Sequence, residues 1–253
     1  MTHIDLNADL GESFGPWVMG SDAEMMDVIT SANIACGGHA GDHKTMVQSL
    51  QMAKEKSVVA GAHPGFEDKE GFGRRRIPLT SREIEYLIAA QVGTIKGLAE
   101  FAGNKITYVK VHGALSNWAA KDIDVSRAIT RSIKAAHSDC AILAVSGTQI
   151  EIAAREIGLD VYSEIFADRA YDDDGNLVAR SIEGAVLESA EVAADRLLRF
   201  FETGKMPTIN GGEIALDAHS ICIHGDNAHA VAMAKEIHSR LTSNGIVIAP
   251  FMK

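Results

Sequence analysis

Short apolar runs alternate with longer segments in which apolar residues recur every three or four positions. The short runs predict seven β-strands and a shorter eighth one, over His3–Asp9, Ser31–Cys36, Val58–Ala62, Thr107–Val111, Ala141–Val145, Val161–Phe166, Ser220–Ile223 and Ile246–Ala249. The longer segments predict helices, from Ser21, over Lys44–Lys56, from a Thr80/Ser81 cap to Ala102, over Asp122–Ala136, Gln149–Ile157 and Glu188–Glu202, and a last one ending near Ser243.

Regular alternation of strand and helix predicts an α/β fold in which a parallel sheet is covered by helices. A chain of this length closes most economically as a single β/α-barrel domain over residues 1–253, with about seven parallel strands. An open, doubly wound sheet is the alternative. Polar residues follow nearly every predicted strand, which favours the barrel, because an open sheet would concentrate them at one switch point.

Composition narrows the functional classes. The 253 residues are 46% hydrophobic, yet no run approaches the roughly 18 apolar residues of a membrane helix. The N-terminus lacks a basic stretch followed by an apolar one, so we expect a cytoplasmic protein. A net charge of −10 disfavours nucleic acid and anionic membranes as partners. Three cysteines without framework spacing predict buried, reduced thiols.

The stretch Asn33–Asp42 is the strongest functional signal, because an apolar strand breaks there into three glycines beside His39 and Asp42. Glycine lets backbone approach a ligand closely, and histidine and aspartate can transfer protons or bind metal ions. Other strand ends carry similar residues. The candidates at strand ends are Asp9, Glu12, His39, His63, Lys110, His112, Asp168, Arg169, His224 and Asp226.

A single histidine at a strand end is more often structural than catalytic, but four at equivalent places predict a common site. Asp9 and Glu12 have a second interpretation as caps of the following turn. The basic run Arg74–Arg76 is either surface charge or, beside Gly71 and Gly73, a clamp for a carboxylate or phosphate.

Two chemistries fit such a set of residues. One is acid and base catalysis of water attack on an amide or ester; the other is the same attack assisted by a divalent metal ion. The spacing does not choose between them, because the candidate ligands come from different strands and no H-E-x-x-H motif occurs. A phosphate-binding G-x-x-x-x-G-K-[ST] loop is also absent from the sequence.

Several motifs together resemble the LamB/YcsF family. They are Asp5–Gly15, Ser31–Gly37, His39–Asp42, Gly61–Pro64, Gly71–Arg75, His112–Leu115, Phe166–Tyr171 and His224–Asp226, in the family's order along almost the whole chain. The resemblance implies a seven-stranded β/α barrel related to carbohydrate deacetylases. It also implies ATP-dependent opening of 5-oxoproline to L-glutamate, with ATP as cosubstrate and two partner subunits, B and C.

The resemblance and the strand-end pattern select the same residues. We therefore predict a catalytic group of Asp9, Glu12, His39, His63, His112, Asp168 and His224, and a substrate-binding group of Arg74, Lys110, Arg169 and Asp226. The chain departs from the family pattern at five positions, which bear on substrate fit rather than on reaction type. These are Gly38, Val111, Ser116, Ala179 and Ala228.

Three functions remain open at this stage. The first is a hydrolase subunit for 5-oxoproline or a similar lactam, and the second is a metal-dependent deacetylase or amidase that acts alone. The third is a non-catalytic subunit that positions substrate for its partners. The sequence leaves open whether a metal ion is bound, where ATP binds, and whether the chain forms a homo-oligomer.

Overall fold

The computed structural model of the chain describes residues 3–223 and 228–252. The strands are β1 His3–Leu10, β2 Ser31–Ala35, β3 Val59–His63, β4 Ile106–Val109, β5 Ala141–Val145, β6 Val161–Phe166, β7 Lys205–Pro207, β8 Glu213–Ala215, β9 Ser220–Cys222 and β10 Val247–Ile248. The helices are α1 Asp22–Met25, α2 His43–Glu55, α3 Ser81–Phe101, α4 Gly113–Lys121, α5 Ile123–Ala136, α6 Gln149–Glu156, α7 Ala190–Thr203 and α8 Ala228–Ser243.

Within the described residues, seven parallel strands close into a barrel in the order β1-β2-β3-β4-β5-β6-β9. The ring closes because β9 pairs with β6 on one side and with β1 on the other, where Asp5 lies opposite Ser220. The predicted single β/α barrel is confirmed, and the open-sheet alternative is wrong. Closure places the carboxyl ends of all seven strands around one mouth.

Local signals explain the elements that the sequence located well. Helix α3 begins at a capping box in which the Thr80 hydroxyl accepts from the Glu83 backbone N–H and the Glu83 carboxylate accepts from the Thr80 N–H. Strand β5 has the predicted bounds because its apolar run Ala141–Val145 ends at Ser146. The bounds of β6 are also as predicted, although Ser163 and Glu164 interrupt its apolar residues. The capping box and the apolar runs involve only residues that are close to one another in the sequence.

The predicted short eighth strand is present as β10, and three short elements, α4, β7 and β8, were not predicted. The eighth strand, β10, pairs with the first residues of β1 and does not join the ring. Helix α4 was not predicted, because its nine residues bury only Leu115 and Ala119 and show little periodicity. The antiparallel pair β7 and β8 was also missed, since three residues per strand are too few to show an alternation.

The interior of the barrel is polar in its middle and apolar at its base. Along β1, Ile4, Leu6 and Ala8 pack in the large apolar cluster that includes the surrounding helices. The alternate residues Asp5 and Asn7 are fully buried and hydrogen-bond to side chains of other barrel strands. The strand period of two therefore separates an apolar outer layer from a polar interior.

Aromatic residues close the base of the barrel. Tyr108 packs edge-on against Phe251, with ring centroids 5.0 Å apart, and Tyr162 lies on the other side of the Phe251 ring. A Cβ at Gly61 would lie 2.2 Å from the Tyr108 ring, so glycine is required there for the ring to enter the barrel.

The three cysteines are buried free thiols, as predicted. Within the part of the chain that the structure describes, no helix combines the length and apolar character needed to cross a membrane.

Candidate active site

Six polar side chains meet at the carboxyl ends of the first four strands. Because parallel strands pair in register, the last residues of neighbouring strands are brought side by side; Ala35 of β2, for example, lies opposite His63 of β3. We call this group the histidine wall, and it consists of Asp9, Glu12, His39, His63, Lys110 and His112.

The three histidines form a compact cluster with the two carboxylates. His39 Nε2 lies 3.2 Å from Glu12 Oε1, and His63 Nε2 lies 3.3 Å from Asp9 Oδ2. His63 Nε2 also lies 3.0 Å from His112 Nδ1. The rings of His39 and His112 stack in parallel with their centroids 3.6 Å apart.

Burial keeps the stacked histidines neutral. It lowers the pKa of His39 well below its usual range, and the neighbouring His112 and His63 lower it further. Burial also lowers the pKa of His112 to about 3, again with help from His63. At neutral pH these two imidazoles therefore carry lone pairs that can accept a proton or bind a metal ion.

Lys110 joins the histidine wall to the barrel interior. Its Nζ lies 3.0 Å from Asp9 Oδ1, 2.7 Å from Glu164 Oε2 and 3.0 Å from the Cys222 sulfur. Burial opposes the charge of Lys110, but Asp9, Cys222 and Glu164 outweigh it and raise the pKa of Lys110 well above its usual range. The ammonium is therefore a poor proton donor and serves as the counter-ion of the two carboxylates.

Sequence reasoning missed Glu164, which lies inside β6 rather than at its end. Its carboxyl is buried, and burial raises its pKa while Lys110 opposes the rise. A charged residue in the middle of a short strand whose residues are mostly apolar is the signal that could have identified it.

The loop between β3 and α3 covers the histidine wall. Phe72 has a positive φ of 54°, uncommon for a residue with a side chain, and its carbonyl contacts His112 Nε2 at 2.9 Å. A Cβ on Gly73, the next residue, would lie 2.6 Å from the His39 Cβ. Glycine at position 73 is therefore needed for this loop to lie directly on the two stacked rings.

A cavity of about 280 Å³ opens in front of the histidine wall. Its lining includes Arg74, Arg169 and Arg180, which we call the arginine wall. This volume is near the lower end of the range for small-molecule sites. Carboxylates and neutral imidazoles on one side and guanidinium groups on the other suit a small anionic substrate.

The three arginines are held differently. Arg169 is buried, and its guanidinium donates to the carbonyls of Val178 and Ala185 in the loop that follows β6. Burial lowers its pKa to about 10, and the positive charges of Arg180 and Arg74 contribute to the shift. Arg74 lies over the Phe72 ring at 4.9 Å. Arg180 was missed by sequence reasoning, because it follows no strand and belongs to no recognisable motif.

The other residues of the basic run Arg74–Arg76 have contacts away from the cavity. Arg75 forms an ion pair with Asp68, and Arg76 lies 4.0 Å over the ring of Trp118. Both are at the surface. Of the two interpretations of the run, surface charge thus describes Arg75 and Arg76, while Arg74 lines the cavity.

Asp42 and Gly38, which both belong to the stretch Asn33–Asp42, lie outside the cavity lining. The Asp42 side chain accepts hydrogen bonds from the backbone N–H of Thr45 and of Gly15, which caps α2 and lowers the Asp42 pKa to about 2. A Cβ on Gly38 would lie 2.5 Å from Gln91 Nε2, so Gln91 fills the space beside it. Their positions indicate roles in packing and capping.

Two described residues of the predicted catalytic group, His39 and Asp168, do not line the cavity. Asp168 is buried at the end of β6 but is not among the residues that line the cavity. His224 and Asp226 lie outside the described residues, so their roles stay predictions.

Two kinds of chemistry are available to this arrangement. The carboxylates of Asp9 and Glu12 and the neutral imidazoles can exchange protons with water and substrate. In addition, one ligand atom from each of Glu12, His39, His63 and His112 lies within 4.8 Å of the others, so that these side chains could hold a divalent metal ion.

Comparison with known proteins gives full-length matches. The model of the LamB/YcsF family matches residues 4–253. The chain is 47% identical over 254 residues to the A subunit of 5-oxoprolinase from Rhodopseudomonas palustris strain BisA53, covering 100% of both chains. It is 46% identical to the protein of the same name from Gluconobacter oxydans, with 97% of this chain and 96% of that protein covered.

Solved structures agree with these matches. A lactam utilization protein from Thermus thermophilus superposes with a TM-score of 0.92 at 37% identity, covering 98% of this chain and 99% of that one. A T48 deacetylase superposes with a TM-score of 0.52 at 13% identity over 99% of this chain and 88% of that one, which shows a shared fold alone.

Proposed function

The chain belongs to the LamB/YcsF family, and we propose that it is the A subunit of an ATP-dependent 5-oxoprolinase, a hydrolase that opens the lactam ring of 5-oxoproline to give L-glutamate. The observation that carries the proposal is the cavity between the histidine wall and the arginine wall. The size of this cavity and the charges on its two walls match a small cyclic amide that bears a carboxylate. Relatives that share about 47% of the sequence and are named as this component of 5-oxoprolinase support it.

The reaction explains why ATP and partners are needed. An unstrained five-membered lactam is a stable amide, and transfer of the γ-phosphoryl group of ATP to the lactam oxygen makes the ring carbon a better electrophile. Addition of one water and cleavage of the C–N bond then give the amine and an acyl phosphate, and a second water releases phosphate and the product carboxylate. We propose that subunits B and C take part in phosphorylation, and that the complex works in the cytoplasm, where ATP is available.

We assign the ring-opening step to the histidine wall. Asp9 or Glu12 accepts a proton from the attacking water, and a histidine of the cluster passes a proton to the leaving nitrogen. The nitrogen must be protonated as the bond breaks, because an amide anion is a poor leaving group. Lys110 forms an ion pair with Asp9 and so favours its carboxylate form.

Substrate binding is assigned to the arginine wall. Guanidinium groups bind carboxylates through two parallel hydrogen bonds, which fixes orientation as well as affinity. Arg74 and Arg180 would hold the substrate carboxylate, while the buried Arg169 fixes the loop that carries Arg180 through its bonds to Val178 and Ala185.

The test is glutamate formation by the reconstituted complex of this chain with subunits B and C, ATP and 5-oxoproline. We expect Asp9→Asn and His112→Ala each to lower the rate at least about 100-fold. Asp139→Asn and His43→Ala remove the same groups from exposed positions outside the site and should leave the rate unchanged. Near-normal rates for both site variants would reject a catalytic role and favour a protein that only positions substrate.

A second candidate function, a metal-dependent deacetylase or amidase that acts alone, rests on the cluster of Glu12, His39, His63 and His112. Assay of the isolated chain separates the two functions. Chelator-sensitive hydrolysis of acetylated sugars or simple amides without ATP or partners would favour the second function. Lactam opening that requires ATP and both partners would favour the first.

A further inference from the structure

The contact between His63 and His112 is unusual in its pattern of donors and acceptors. His63 Nδ1 lies 2.7 Å from the Lys110 carbonyl oxygen, and His112 Nε2 lies 2.9 Å from the Phe72 carbonyl oxygen. Carbonyl oxygens only accept hydrogen bonds, so each of these ring nitrogens must carry a hydrogen. In the neutral rings, His63 Nε2 and His112 Nδ1 are therefore both left with a lone pair.

These two nitrogens lie 3.0 Å apart with their lone pairs toward one another. Negative charge surrounds the same point, since Asp9 Oδ2 is 3.3 Å from His63 Nε2 and Glu12 Oε1 is 3.9 Å from His112 Nδ1. Lys110 contacts Asp9 through its other oxygen, Oδ1, at 3.0 Å. Two lone pairs that face each other beside carboxylates in a buried place repel one another, and a cation placed between them would remove that repulsion. The arrangement therefore indicates the binding site of a cation.

We propose that this chain binds one divalent transition-metal ion through His63 Nε2, His112 Nδ1 and the carboxylates of Glu12 and Asp9. Two donors about 2.0–2.2 Å from one ion lie roughly 2.9–3.5 Å from each other, depending on the coordination geometry. The distances of 3.0 Å and 3.3 Å from His63 Nε2 to His112 Nδ1 and to Asp9 Oδ2 fall in that range, whereas the 3.9 Å from Glu12 Oε1 to His112 Nδ1 exceeds it, so the Glu12 carboxylate would move closer when an ion binds. Two imidazoles with carboxylates suit Zn²⁺, Mn²⁺ or Fe²⁺ better than Mg²⁺ or Ca²⁺.

His39 belongs to the cluster but is assigned a different role. Its Nε2 lies 3.2 Å from Glu12 Oε1, and its buried Nδ1 has no hydrogen-bond partner within the described part of the chain. If Nε2 bound the ion, the hydrogen would move to Nδ1 and lack an acceptor. His39 instead donates its Nε2–H to Glu12 and positions that carboxylate, as residues behind metal ligands commonly do.

The backbone supports the same assignment. Phe72 adopts a positive φ of 54°, and in this conformation its carbonyl contacts His112 Nε2. Strained backbone is retained where the surrounding structure requires it and is concentrated at functional sites. Here it places the carbonyl that fixes the tautomer of His112 and leaves Nδ1 available.

The experiment titrates the chelator-treated full chain with Zn²⁺ by calorimetry and with Co²⁺ by visible absorption. We expect one ion per chain with a dissociation constant below about 10 µM, and a Co²⁺ spectrum that indicates bound nitrogen and oxygen ligands. His63→Gln and His112→Gln should each weaken binding more than about 100-fold, and His39→Gln by only about tenfold. The matched control His43→Gln alters a histidine outside the cluster and should bind like the wild type.

Wild-type affinity weaker than about 1 mM would overturn the proposal and leave a shared proton as the bridge between the two rings. Binding that survives both His63→Gln and His112→Gln would also overturn it, and so would a loss in His39→Gln as large as theirs. If a variant fails to fold, as judged by circular dichroism, the wild-type stoichiometry and Co²⁺ spectrum still decide. The measurement uses no substrate, ATP or partner, so its failure is separate from failure of the proposed lactam opening.

Discussion

The two walls of the cavity are built in different ways. The histidine wall consists of side chains at the ends of β1 to β4, and Lys110 connects it to a buried network inside the barrel. The arginine wall comes from two loops, and Arg74 and Arg180 are exposed. Strand pairing and burial hold the first wall, whereas the exposed arginines of the second extend from loops.

The difference in construction matches the two roles proposed for the walls, with catalysis assigned to the histidine wall and substrate binding to the arginine wall. Acid and base groups act only when they are held within hydrogen-bonding distance of the reacting atoms, which a rigid framework provides. Recognition of a carboxylate tolerates movement, and loops can change without disturbing the barrel. We therefore expect changes in the histidine wall to affect catalysis and stability, and changes at the exposed Arg74 and Arg180 to affect mainly substrate affinity.

Lys110→Met should give the largest effect on stability. It leaves the buried Glu164 and the partly buried Asp9 without their counter-ion, and loss of one partner of a buried ion pair lowers the free energy of unfolding by about 3–5 kcal/mol. Urea denaturation measures the change. Lys121→Met, which removes an exposed lysine, should change stability by less than about 0.5 kcal/mol.

The double variant Lys110→Met/Glu164→Leu sharpens this test, because it removes both a cation and a buried carboxylate. We expect it to be more stable than Lys110→Met alone. A loss below about 1 kcal/mol in Lys110→Met would contradict the view that the histidine wall and the barrel interior form one buried network.

Asp5→Asn should change how stability depends on pH. Burial raises the pKa of Asp5 from 3.8 to about 6, although Ser220, Ser31 and Thr30 donate hydrogen bonds to its carboxylate. The folded chain thus binds this proton more tightly than the unfolded chain, so its contribution is fully present below about pH 4 and is lost as the pH rises through about 6. The loss amounts to about 2–3 kcal/mol.

Denaturation of the wild type and of Asp5→Asn at several pH values isolates this contribution, because other titrating groups cancel in the difference. We expect the wild type to lose stability relative to Asp5→Asn between about pH 4 and about pH 7. Asp174→Asn, an exposed substitution in the loop after β6, should leave the wild-type pH dependence intact. Parallel curves for the wild type and Asp5→Asn would contradict the expectation.

Arg180→Ala should give the smallest effect on the fold and a selective effect on binding. Loss of an exposed, charge-assisted contact with the substrate carboxylate should raise KM about tenfold and leave kcat within about threefold. The free energy of unfolding should change by less than about 0.5 kcal/mol. Steady-state kinetics of the reconstituted complex provide the measurement.

Arg180→Lys keeps the charge and should recover part of the lost affinity, while Arg82→Ala, on the outer surface of α3, should leave KM unchanged. A lower kcat with an unchanged KM would place Arg180 among the groups that act on the reaction itself. Such a result would remove the distinction between the two walls.

The sequence alone was sufficient for the barrel and for much of the histidine wall. Apolar runs, helical periodicity and the capping box at Thr80 are local, so they can be recognised without a structure. Barrel closure brings all strand ends to one mouth. Fold class and strand ends together therefore predict which residues meet, here Asp9, Glu12, His39, His63, Lys110 and His112.

Only the tertiary structure decided how those residues are used. The distinction between Arg74 and its neighbours, the position of Arg180, and the role of Glu164 within β6 all depend on contacts between distant segments. The hydrogen positions on His63 and His112 follow from backbone carbonyls that the folded chain places beside the two rings. Sequence patterns report local backbone preference and burial, whereas the direction of a lone pair or a guanidinium is set by distant contacts that closure of the barrel creates.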